Sequence, residues 1–201
     1  MKIDLPDNMR RARRQDWRQL ANITAEAFAE DPINRWVFGP PRSIKSAFRV
    51  MARDVYLKQG ICHLAGDSAA TMWLAPQQRA DFSALTQTKF ALGQALFGAK
   101  GAMKRAMSLG ALMAQHHPSE PHMYLFTIGT RRAARGKGFG KALLSPVLAA
   151  CDRAGVPVYL ENSNPPNHGF YRAHGFETVT KFPVGEGGPI MEPMWREPRS
   201  L

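Results

Sequence analysis

Three glycines and five cations crowd one short stretch of this chain. Gly136, Gly138 and Gly140 alternate within ARGKGFGK, and Arg131, Arg132, Arg135, Lys137 and Lys141 stand around them. Glycine leaves backbone N–H groups uncovered, and a helix that starts at such a turn adds the positive end of its dipole. That combination suits a pyrophosphate. The elements that must position it are legible on either side. PHMYLFTIGT before the loop is apolar and rich in aromatic and β-branched residues, as a buried strand requires. After it, Phe139, Leu143, Val147 and Cys151 recur at the spacing of one helix face.

Three phosphate-binding patterns can be set against the loop. A Walker A loop fails twice, because Ala142 follows Gly140-Lys141 and Arg135 occupies the first glycine position. The dinucleotide pattern Gly-x-Gly-x-x-Gly finds Lys141 or Leu143 at its third glycine, although Glu161 lies about where its acidic residue belongs. The pattern Arg/Gln-x-x-Gly-x-Gly is met by Arg135, Gly138 and Gly140. Downstream, Asn164 precedes Tyr171, which is followed by Gly175 and Phe176. These two signatures, in this order, resemble the GNAT superfamily of acetyl-CoA-dependent N-acetyltransferases. Four further segments, AEAFAEDP, MWLAP, HHPSEPHMYLFTIGT and GVPVYLENSNPPNHGFYRAHGF, are similar to the puromycin N-acetyltransferase group within it. The resemblance is strong from Pro118 to Phe176 and thin from Gln77 to Gln115. Arg132 stands where the group usually has proline, and Thr130 where it usually has valine.

The resemblance implies a fold and a chemistry. The fold is α/β (α+β): a mixed, mostly antiparallel central sheet with helices on both faces and a splayed parallel strand pair that holds the cofactor. Residues 1–201 would form one N-acetyltransferase domain, with a helical substrate-side insert at about 77–117. Acetyl-CoA would lay its pantetheine arm along Ile128 and Thr130. Its pyrophosphate would rest on Arg135 and the loop amides of Gly136, Lys137, Gly138, Phe139, Gly140 and Lys141. The acetyl end would lie near Asn164, Asn167 and Tyr171. An acceptor amine would attack directly, with Tyr171 protonating the departing thiolate. Glu161, His122 and Glu30 are the candidates for the base, and Glu30, Asp31, Trp36 and Tyr56 for contacts to the acceptor. Puromycin-like aminonucleosides, other amine antibiotics, polyamines and protein termini all remain open as acceptors. A module that binds acyl-CoA without turnover is one alternative, and a basic nucleic-acid-binding protein is another.

Composition bounds the rest. The chain has 201 residues, 44% of them hydrophobic, which is enough for a packed core. A net charge of +11 suits CoA or a nucleic acid, but no zinc-ligand set, helix-turn-helix or base-stacking signature supports the latter. MKIDLPDNMRR lacks the apolar core of a signal peptide, and no apolar run approaches a membrane span, so a cytoplasmic protein is expected. Cys62 and Cys151 sit in apolar surroundings and read as small buried hydrophobes.

In chain order, Met9–Ala12 reads as a short strand. Asp16 and Gln19 look like a capping box for a helix with Trp17, Leu20, Ala21, Thr24, Ala27 and Phe28 on one face, ending at Asp31-Pro32. A second helix spans Ser43 to Leu57. Ile61–Ala65 and Ala69–Ala75 form a hairpin around Gly66-Asp67-Ser68. Gln77 to His117 gives two helices broken near Gly98–Gly101, the second with Met103, Met107 and Met113 on a face that suits core packing, a homodimer contact or a pocket. His116 and His117 mark its end. Pro146 should bend the helix after the loop. Val156–Leu160 reads as a buried strand, Asn167–His174 as a short helix, and Phe176–Phe182 with Ile190–Trp195 as a final hairpin.

Overall fold

The apolar run before the glycine loop becomes the middle of the sheet. The computed structural model describes residues 1–199. Its strands are β1 (Met9–Arg11), β2 (Ile61–Ala65), β3 (Ala69–Leu74), β4 (Met123–Thr130), β5 (Val158–Asn162), β6 (Glu177–Thr178), β7 (Phe182–Pro183) and β8 (Ile190–Arg196). They lie in the order β1-β2-β3-β4-β5-β8-β6, with β7 also paired to β8. All pairs are antiparallel except β4–β5, which is parallel.

The helices are α1 (Trp17–Ala27), α2 (Pro32–Phe38), α3 (Pro41–Val50), α4 (Leu57–Gln59), α5 (Ala84–Phe97), α6 (Ala102–His116), α7 (Phe139–Ala154) and α8 (His168–Ala173). Met51–Tyr56, between α3 and α4, is π-helical. Strand alternation sends side chains to two cores. Met72, Tyr124 and Tyr159 pack with Leu20, Ile23, Ile44 and Val55 under α1, α3 and the π segment. Trp73, Leu125 and Leu160 pack with Leu144, Val147 and Leu148 under α7. With both faces covered, β4 must be apolar almost throughout.

The parallel pairing is short. Met123 faces Val158, Tyr124 faces Tyr159 and Leu125 faces Leu160, and there it stops. Beyond that point β4 runs on to Thr130 against β3, while Glu161 and Asn162 of β5 pair only with β8. The two strands therefore splay, as expected of a cofactor slot. Across β3, Met72 is opposite Thr127 and Trp73 opposite Leu125, which leaves Phe126 as a bulge at the mouth of the split.

Several elements differ from the sequence reading. Asp31-Pro32 begins a helix as well as ending a turn: Asp31 accepts the Asn34 N–H at 2.9 Å and Pro32 takes the first position of α2, where its missing donor costs nothing. Asp16 caps no helix through Gln19; it accepts from the Arg13 N–H and the Arg10 guanidinium. The parallel strand starts at Val158 rather than Val156, because α7 closes with a Schellman pair. Gly155 has φ +62°, its N–H bonds Asp152 O, and the Val156 N–H bonds Cys151 O. The final hairpin divides its first arm into β6 and β7, both paired to β8. Pro146 lies within an α7 that continues to Ala154. Among the methionines of α6, Met113 packs on the core while Met107 is exposed. Cys62 and Cys151 are buried free thiols, which burial pushes up to about 12. Among the described residues, no helix is long and apolar enough to cross a membrane.

Candidate active site

The loop has the backbone its glycines suggest. Gly136 and Gly138 take φ of +75° and +81°, values that side chains rarely adopt, and a Cβ at either would project into open space. Among the described residues, none of the N–H groups from Gly136 to Lys141 has a backbone acceptor. The cations divide into two roles. Arg131 binds Glu26 and Asp67, and Arg135 donates to Ala27 O at 3.0 Å, so both fix the loop to its surroundings. Arg132, Lys137 and Lys141 are exposed. Close packing makes the Arg135 contact possible: a Cβ on Gly129 would come within 2.8 Å of the Ala27 Cβ, so α1 lies directly on β4. An open cradle of unpaired donors with lysines beside it fits a diphosphate. Ile128 and Thr130 lie on β4 beyond the point where β5 leaves it, where an added strand could pair.

Across the split, Glu161 follows directly after Leu160, the last residue of β5 paired with β4. Its side chain is only 3% exposed, and its Oε1 is buried with no hydrogen-bond partner. Rings close around it. His117 Nδ1 lies 3.7 Å from that oxygen, and the His117 ring meets Tyr124 and Tyr159 edge-on at 5.1 and 5.0 Å. Burial raises the pKa of Tyr56, Tyr124 and Tyr159, and the charge of Glu161 raises each further. The phenols thus stay protonated around a carboxylate. His122 meets Tyr159 and Trp195 edge-on, its Nε2 3.1 Å from His117 Nε2.

Tyr171 lies on α8, buried against Phe170 and Phe176. Burial raises its hydroxyl pKa well above the ordinary value, and the negative charge of Asp31 adds to the effect. Helix α8 abuts the loop, since a Cβ on Gly140 would touch the Phe170 ring at 3.4 Å. A polar network that sequence reasoning missed holds this helix. Glu192 of β8 accepts from Asn162 Nδ2 (2.9 Å), His168 Nδ1 (2.9 Å) and Thr178 Oγ1 (2.7 Å). Burial opposes its charge, but those bonds together with Lys181 outweigh it and lower its pKa. A glutamate in an apolar strand was the available signal. Asn164 donates its N–H to Asn162 Oδ1 and opens the turn Pro165–Asn167, whose last residue, Asn167, is exposed.

The other predicted contacts scatter. Glu30 is exposed and stands outside the Glu161 group. Asp31 caps α2 and accepts from Ser163 Oγ at 2.6 Å; burial raises its pKa despite these bonds. Trp36 is clamped between Gly185, Gly188 and the Arg105 guanidinium. Tyr56 alone of the four faces Glu161.

A split parallel pair, an open glycine cradle at a helix start and a buried carboxylate beyond the split define an acyl-transfer fold, and the chain belongs to the acetyltransferase (GNAT) family, whose model matches residues 71–176. Among relatives, it is 24% identical over 184 residues to the uncharacterized N-acetyltransferase C550.08 of Schizosaccharomyces pombe, covering 83% of this chain and 73% of that one. The fold is shared with a Corynebacterium glutamicum protein described as histone acetyltransferase HPA2 and related acetyltransferase, with TM-score 0.68, 22% identity and coverage of 96% and 97%. It is shared also with the C-terminal condensation domain of Ebony in complex with beta-alanyl-dopamine, at TM-score 0.63 and 9% identity, covering 98% of this chain and all of that one. The chain is an acyltransferase.

Proposed function

We propose that this enzyme transfers an acetyl group from acetyl-CoA directly to the amine of a small molecule, with an aminonucleoside or another amine antibiotic among its acceptors. The observation that carries the reading is the β4–β5 pair parting after Leu125 and Leu160, with Glu161 the next residue on β5. The four segments similar to puromycin N-acetyltransferases support an aminonucleoside.

The residues then take definite roles. The loop amides from Gly136 to Lys141, with Lys137 and Lys141, hold the pyrophosphate, and the free edge of β4 at Ile128 and Thr130 aligns the pantetheine arm. Bound acetyl-CoA supplies the thioester carbonyl that the amine attacks. Glu161 takes the proton that an alkylammonium must lose, and the rings of Tyr124, Tyr159 and Tyr56 offer faces to its positive charge. Tyr171 keeps its proton at any working pH until the C–S bond breaks, when its O–H bond breaks as an S–H bond forms; its phenolate, the stronger base of the two, regains a proton before the next turnover. Asn164 and Asn167 border that end of the slot.

Thiol release from acetyl-CoA across a panel of amines tests the reading. Amine-dependent release that Glu161→Gln suppresses is expected. Tight acetyl-CoA binding without release for any amine would make the chain a binding module.

A further inference from the structure

Four groups form a line at the end of α6: the Glu161 carboxylate, His117, His122 and the Glu120 carbonyl. Their hydrogens can be counted. His122 Nδ1 lies 2.6 Å from Glu120 O, which can only accept, so Nδ1 carries a hydrogen. Burial lowers the pKa of His122 and outweighs the carbonyl bond, so this ring is neutral and its Nε2 is a lone pair. That nitrogen is 3.1 Å from His117 Nε2, which must therefore donate. A neutral His117 is then left with a lone pair on Nδ1, facing Glu161 Oε1 at 3.7 Å. Oε1 is itself acceptor-only when ionised, and buried without another partner. Two lone pairs thus face each other, and one additional proton turns the repulsion into a hydrogen bond.

We propose that His117 Nδ1 is the second stop for the acceptor's proton, and that His122 is a positioning residue that keeps this nitrogen the free one. The proposal rests on Glu161 being the first stop. The N–H bond of the acceptor breaks as an O–H bond forms on Glu161 Oε1. That O–H bond breaks as an N–H bond forms on His117 Nδ1. The imidazolium, whose side chain is 30% exposed, returns the proton to water before the next turnover. The groups facing His117 are Tyr124 from β4, Tyr159 and Glu161 from β5, and His122. Among these groups Glu161 is the one carboxylic acid. Its negative charge is what draws the proton to this ring.

Two measurements test this. Long-range proton–nitrogen NMR of the full chain should show His122 as the Nδ1–H tautomer and neutral His117 as the Nε2–H tautomer. On acidification His117 should gain its second proton first, and Glu161→Gln should make that step occur at lower pH. An Nε2–H tautomer for His122, or a His117 indifferent to Glu161→Gln, would overturn the proposal. These spectra need no turnover, so they judge the relay even if no amine is acetylated. In the kinetic arm, His117→Phe keeps an aromatic ring against Tyr124 and Tyr159. It should lower kcat by about 10²-fold with the amine KM held within about twofold. Added imidazole should restore part of the loss. A full kcat, or a loss that imidazole leaves unchanged in a folded variant, would show that His117 only packs.

Discussion

The Tyr56 ring lies flat on the Phe126 ring, with centroids 4.4 Å apart and planes within 8°. Each residue owes its place to a local irregularity. Tyr56 ends the π segment and Phe126 is the bulged residue of β4. Irregular turns of either kind recur at functional sites because they re-aim a side chain that regular geometry would point elsewhere. Here two of them meet beside Glu161, at the point where β4 and β5 part.

Acetyl-CoA affinity should depend on the bare backbone of the loop. Gly138 combines φ of +81° with open space where a Cβ would go. Gly138→Asp strains the turn and places a negative charge in the cradle. Calorimetry should show acetyl-CoA binding lost in a folded variant. Unchanged affinity would move the pyrophosphate elsewhere.

Tyr171→Phe should separate chemistry from packing. The ring and its contacts to Phe170 and Phe176 remain, so the melting temperature should hold. Loss of the proton should lower kcat by about 10²–10⁴-fold, with the acetyl-CoA Kd nearly constant. A full kcat where chemistry is rate-limiting would leave Tyr171 as a core residue.

Acceptor choice should lie with α5 and α6. These helices pack on α2 and α3 through Ser43 with Gln94 (2.6 Å) and Arg105 with Val37 O (3.2 Å), and α6 delivers His117 to Glu161. Exchanging residues 77–115 with a relative's segment, while keeping His117, should change which amines react and leave acetyl-CoA binding intact. An unchanged amine preference in a folded chimera would place selectivity on β5 and β8.

The glycine loop, β4 and the mixed sheet were legible because each follows from local demands. Only glycine tolerates the backbone at 136 and 138, and a strand covered on both faces must be apolar. Glu161 and Tyr56 could be named as candidates one at a time. Their meeting could not be foreseen, since it depends on a π turn and a bulge that leave no distinct residue pattern. His117 looked like a helix end because its partners come from β4 and β5, distant in sequence. Asp31-Pro32 misled for a different reason: proline stops one helix and starts another with equal ease.

Stability should fall in mild acid through His63. Burial lowers its pKa from 6.5 to about 4, with Arg11 adding to the effect. Between those values the unfolded chain takes up a proton that the folded chain refuses, so the stability is fully present above about 6.5 and declines as pH falls toward 4. The loss should be on the order of 3 kcal/mol. His63→Gln should flatten that part of the urea-denaturation profile relative to the parent, and an identical slope would refute the assignment.

Arg196 should be a strong anchor. It is 3% exposed and bonds Asp152 through both terminal nitrogens, at 2.7 and 2.8 Å, while its Nε donates to His174 O. Arg196→Met leaves Asp152 without its cation and should cost about 3–5 kcal/mol by urea denaturation. Adding Asp152→Leu should recover part of the loss, and a double variant no better than the single would show that the bond to His174 carries the effect.

The π segment gives this helix a spare residue. A π turn holds one residue more than the α turn it replaces. Deleting a single residue between Met51 and Val55 would therefore let regular helix form with Tyr56 near its present angle about the axis, still able to meet Phe126. Elsewhere on the surface such a deletion is absorbed by a loop, but here a helix packed against α1 absorbs it within one turn. Chain length at this point can change with the rings beside the parting strands left in place.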